Sequence, residues 1–87
     1  MPRFLAVHAH AFSEEQLKQL ASRKDQLPQG ITWNQAYCAP GSDRAFCEWD
    51  APSKEAVEQV FKANAMPFVA IYQVDRFDPD RAEFDHL

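Results

Sequence analysis

Ile31-Thr32-Trp33-Asn34-Gln35-Ala36-Tyr37-Cys38-Ala39, then Pro40-Gly41-Ser42-Asp43, then Arg44-Ala45-Phe46-Cys47-Glu48-Trp49-Asp50 reads as two strands around a turn. The flanking runs are rich in aromatic and small apolar residues, and the four residues between them are turn formers, so the stretch predicts a β-hairpin. Pairing Ala39 with Arg44 places Ala36, Cys38, Ala45, Cys47 and Trp49 on one face. Trp33, Gln35, Tyr37, Phe46, Glu48 and Asp50 then share the other.

Before the hairpin, Pro2 to about His10 has strand composition, and Ser13-Glu14-Glu15-Gln16 has the layout of a capping box. Leu17, Leu20, Ala21 and Leu27 recur at helical spacing up to Pro28-Gln29-Gly30, which ends the element. After the hairpin, Ser53 can cap a second helix whose inner side carries Ala56, Val57, Val60, Phe61 and Asn64. Met66-Pro67 stops it, and Val69 to about Asp75 reads as a last strand.

The order strand, helix, strand, strand, helix, strand is that of an α+β ferredoxin-like fold. It predicts a β-α-β-β-α-β chain with a four-stranded antiparallel sheet and both helices on one face. Residues 1–75 form this domain, and residues 76–87, charged and without a clear period, read as a C-terminal tail. A sheet face left bare by the helices would expose Trp33, Tyr37 and Phe46, which calls for a covering partner or ligand.

The chain has 87 residues, the size of one domain with a modest core, where association with a second copy is a common route to stability. A formal net charge of −4, with nine Lys and Arg dispersed among 13 Asp and Glu, argues against a nucleic-acid or anionic-membrane surface. No apolar run approaches the roughly 18 residues of a membrane span, and the opening residues lack a secretory layout. These features read as a cytoplasmic protein. Cys38 and Cys47 are too few for a disulfide framework and read as buried free thiols.

His8 and His10, two apart on the first strand, supply the chemistry. Alternation from Leu5 and Val7, assigned to the helix side, sends Phe4, Ala6, His8 and His10 to the open face, where Glu48 or Asp50 of the third strand would approach them. Two imidazoles and a carboxylate form a partial coordination sphere for a divalent transition metal. Trp33, Gln35, Tyr37, Phe46 and Asp50 would line the surrounding pocket or support the ligands.

Several of these residues also carry a resemblance. Trp33 with Tyr37 four residues on, the run Phe46-Cys47-Glu48-Trp49-Asp50-Ala51-Pro52-Ser53 leading into Glu55-Ala56-Val57, and Pro67 before the last strand form one pattern. It resembles a family of small bacterial ferredoxin-like proteins described as nickel-binding or of unknown function. The resemblance runs from Pro2 to about Val74. It implies a homodimer or higher homo-oligomer binding a first-row metal, nickel first, through histidine and oxygen ligands. His8, following Val7 at the end of the first strand, matches best. His10 departs from the pattern, because Ala9 separates two histidines that nickel-binding relatives place side by side.

The leading expectation is therefore a cytoplasmic dimer binding nickel or another divalent metal through His8, His10 and Glu48. Two others stand beside it, since this architecture hosts unrelated functions. One is a small dimeric α/β-barrel enzyme, an isomerase or cofactor-free monooxygenase, with an apolar pocket on the open sheet face. The other is an interaction module without a metal.

Overall fold

Pro40-Gly41-Ser42 coils into one turn of 3-10 helix, and Asp43 follows in the left-handed region at φ 49°. Asp tolerates that conformation better than most side chains, and the chain reverses there, bringing Arg44 opposite Ala39. The hairpin pairs as its turn residues predict. In this computed structural model, which describes residues 1–87, β2 (Thr32–Ala39) and β3 (Arg44–Asp50) form half of a four-stranded sheet with β1 (Arg3–His8) and β4 (Ala70–Val74). All neighbouring strands are antiparallel, in the order β2-β3-β1-β4.

The first helix, α1 (Glu14–Ser22), begins with the predicted capping box. Ser13 Oγ accepts from the Gln16 N–H at 3.1 Å, and Gln16 Oε1 accepts from the Ser13 N–H at 2.9 Å. The second helix, α2 (Lys54–Ala63), starts where Ser53 Oγ accepts from the Ala56 N–H. Its Val57, Val60 and Phe61 are buried against Phe4, Ala6, Cys47, Trp49 and Ile71 of the sheet. Leu20 of α1 borders a cavity together with Cys47, Trp49 and Val60.

Two features of the sheet differ from the alternation expected of it. The β2–β3 register shifts between Trp33 and Gln35, leaving Asn34 as a bulge. An extra residue inverts the parity of everything before it. Trp33 therefore lies opposite Trp49 and stacks on it at 6.0 Å, on the core side and not on the open face. The second difference concerns β1. Phe4, Ala6 and His8 face inward, opposite Trp49, Cys47 and Ala45, while Leu5 and Val7 face outward opposite Glu48 and Phe46.

Cys47 is buried, as expected, and burial pushes its thiol up to about 12. Cys38 is exposed, because β2 is an edge strand, and the two thiols are not bonded to each other. The tail is not shapeless. After Asp75 the chain forms a separate two-stranded hairpin, β5 (Arg76–Asp78) with β6 (Glu83–Asp85), Phe77 opposite Phe84.

Candidate functional site

His8 ends β1 with 1% of its surface exposed, and its ring makes edge contacts with Phe12 and Phe61 at 5.0 Å each. Its Nδ1–H donates to the carbonyl of Pro67 at 2.8 Å. That bond fixes the tautomer and leaves Nε2 a bare acceptor, buried without a partner. Burial lowers the imidazole's pKa, and the Pro67 carbonyl offsets only part of the effect. His8 is a neutral core residue.

His10 lies past the end of β1, where the chain bends away from the sheet. Its Nδ1–H donates to Asp43 Oδ2 at 2.8 Å, and the other Asp43 oxygen accepts from the Ala11 N–H at 2.9 Å. These bonds, the one from His10 foremost, hold the Asp43 carboxyl below its usual range. Arg44 adds a bond to the Ala9 carbonyl at 2.8 Å. The hairpin turn thus holds the chain at His10 from two sides, with the imidazole three-quarters exposed.

Glu48 and Asp50 point away from both histidines, to the outer face of the sheet. Arg3 joins them, its Nε 3.0 Å from Asp50 Oδ1 and its Nη1 3.7 Å from Glu48 Oε2. The Arg3 bond holds Asp50 below the usual carboxylate range. Gln35 donates weakly to Glu48 at 3.3 Å, and Tyr37 and Phe46 share this face. The proposed ligands therefore fall in three places: His8 inside, His10 at the sheet's end and Glu48 outside.

A closed nickel or zinc centre needs several donors converging within about 2–2.3 Å of one point. No cluster of three His, Cys, Asp or Glu side chains offers this, so one chain does not fit a resident metal centre. What it does offer is a pair of exposed carboxylate–imidazole units, His10 on Asp43 and His86 on Asp75, the latter at 3.2 Å. In each the carboxylate accepts from Nδ1, and Nε2 has no protein partner.

Asp43 is the member of these pairs that its sequence context conceals, because Pro-Gly-Ser-Asp reads first as a turn. A largely apolar cleft was equally unannounced. It lies on the core side, bounded by Trp33, Cys47 and Trp49, and not on the open face.

With this geometry in view, known proteins supply a family. Residues 4–74 match the family model described as nickel responsive protein SCO4226-like. The crystal structure of SCO4226 from Streptomyces coelicolor A3(2) is similar at a TM-score of 0.66 and 30% sequence identity. The match covers 83% of this chain and 94% of that one. No curated protein sequence matches. The hairpin β5–β6 falls after the matched residues. By the extent of that match, the chain belongs to the SCO4226-like family of nickel responsive proteins.

Proposed function

We propose that the protein binds a divalent transition metal, nickel first, through surface histidine, and that ligands from more than one copy of the chain are needed for tight binding. Of the three expected ligands, this reading keeps His10. The single observation behind it is the His10–Asp43 pair: an exposed imidazole whose Nδ1–H is engaged by a carboxylate at 2.8 Å. That arrangement orients the ring, leaves Nε2 as the donor atom and raises its basicity. The family description supports nickel as the metal.

One imidazole completed by water is a weak site, so the reading includes a homodimer or higher homo-oligomer. The outer sheet face favours one: Leu5, Val7, Phe46, Tyr37 and Tyr72 lie there, with Tyr37 and Tyr72 more than half exposed. Exposed aromatic side chains on one sheet face suit a contact with a second copy. The unpaired Cys38 and Cys47 fit a reducing, cytoplasmic setting. No helix is long and apolar enough to cross a membrane.

Calorimetric titration of nickel into wild type and the His10→Ala variant tests the proposal. Saturable binding in wild type that disappears in the variant is the expected result. Equal binding by both proteins refutes the role given to His10.

A further inference from the structure

The chain has three histidines, and His8 is sealed in the core. The other two are built alike. His10 donates its Nδ1–H to Asp43 at 2.8 Å, and His86 donates its Nδ1–H to Asp75 at 3.2 Å. Each imidazole is at least three-quarters exposed. The His86 ring also lies nearly parallel to Phe84, 6.2 Å away, which together with Asp75 fixes its direction.

Within one chain the sheet keeps these two units apart. Val7 pairs with Ala70 and Arg3 with Val74, so β1 and β4 run side by side in opposite senses. His10 follows the end of β1, and Asp75 follows the end of β4, at the other end of the sheet. At about 3.3 Å per residue, β1 alone spans about 17 Å between them. Two imidazole nitrogens on one ion, each about 2.1 Å from it, lie within about 4 Å of each other. A single chain therefore does not bring both rings to one metal.

The element that carries His86 is also unattached to the body by polar contacts. Every hydrogen bond and ion pair made by a side chain of residues 75–87 stays within those residues. Phe77 and Phe84 pack edge to face at 5.2 Å, yet each leaves half or more of its surface in water. The β5–β6 hairpin is thus a preformed arm with a half-bare aromatic side. It falls after the residues matched by the family.

We propose, resting on the role given to His10 above, that His86 of the partner subunit supplies the second ligand, so that each metal is held between Nε2 of His10 in one chain and Nε2 of the partner's His86. A two-fold axis lying along the outer sheet face and across its strands turns the partner end for end. The His10 end of each copy then meets the His86 end of the other, twice per dimer, as an isologous contact requires. Because β1 and β4 are adjacent, the two units are offset sideways by one strand spacing, about 4.8 Å. Phe77 and Phe84 travel with His86 and come under the same contact.

Nickel is titrated calorimetrically into wild type, His10→Ala, His86→Ala, and a mixed dimer of the two variants co-expressed with different affinity tags and purified through both. Both positions are exposed, so the substitutions leave the core intact. Wild type is expected to bind two ions per dimer. Each variant is expected to lose at least about tenfold in affinity, since removing a ligand costs no less than the roughly 10–100-fold of removing its supporting residue. The mixed dimer keeps one His10 and one His86 on opposite chains, and is expected to recover one ion per dimer at wild-type affinity. Undiminished binding by His86→Ala, with binding lost in His10→Ala, overturns the role of His86 and leaves the His10 site standing. Undiminished binding by His10→Ala refutes that site itself. Loss in both variants without recovery in the mixed dimer overturns the sharing of one metal between two chains.

Discussion

Two histidines two positions apart have opposite fates because a strand ends between them. His8 is the last residue held in β1 and turns inward, and His10 sits beyond the bend on the Asp43 carboxylate. For His8 the consequence is a pH dependence of stability. Its pKa is lowered in the folded protein, so below about pH 6.5, the ordinary imidazole value, the unfolded chain takes the proton first. His8 thus favours unfolding as the pH falls from about 6.5 toward its lowered folded value, and contributes no such penalty above that range. Urea midpoints measured from pH 7.5 to 5 are expected to fall, and to fall less steeply in His8→Leu, which cannot take up the proton. Parallel slopes for the two proteins would contradict the assignment of His8 as a buried neutral group. The faces of β1 were not legible in its own residues, because Phe4 and Ala6 on one side are as apolar as Leu5 and Val7 on the other. Only pairing with β3, whose Cys47 and Trp49 face the core, decides between them.

Among the elements, α2 shows a local misfit with a readable cost. Asn64 caps its C-terminus, and Ala65 follows at φ 53°, the left-handed region that glycine adopts without penalty. Ala65→Gly is expected to stabilise the fold by about 0.5–1 kcal/mol, relief of Cβ strain exceeding the added freedom of the unfolded chain. A denaturant midpoint that moves down would contradict this. At α1 the reverse change is costly: Ser13→Ala removes the Oγ acceptor of the capping box and should cost about 1 kcal/mol in the same measurement. Both caps and the Ala39–Arg44 pairing were legible because each is a local device with a fixed spacing. The bulge at Asn34 was not, since nothing in Thr-Trp-Asn-Gln marks an extra residue. That one insertion moved Trp33 from the outer face to the cavity. The β5–β6 hairpin also escaped notice, as strands of three residues are too short to show alternation.

At the scale of the whole molecule, the proposed association of copies is assigned to the outer sheet face. Its Arg3, Glu48 and Asp50 carry both signs of charge beside Tyr37 and Tyr72, a composition that suits a self-complementary two-fold contact. Replacing Tyr37 and Tyr72 together with Asp, both at exposed positions, is expected to convert a dimer to a monomer in size-exclusion chromatography with light scattering. A wild-type protein that is already monomeric at micromolar concentration would remove the face from the account. The central claim, however, concerns which imidazole meets the metal. The most direct measurement is the long-range ¹H–¹⁵N spectrum of the histidine ring nitrogens during a nickel titration, where the paramagnetic ion broadens nearby nuclei first. The account predicts that the His10 ring signals vanish at substoichiometric nickel while those of His8 persist. Early loss of the His8 signals with His10 unaffected would contradict it.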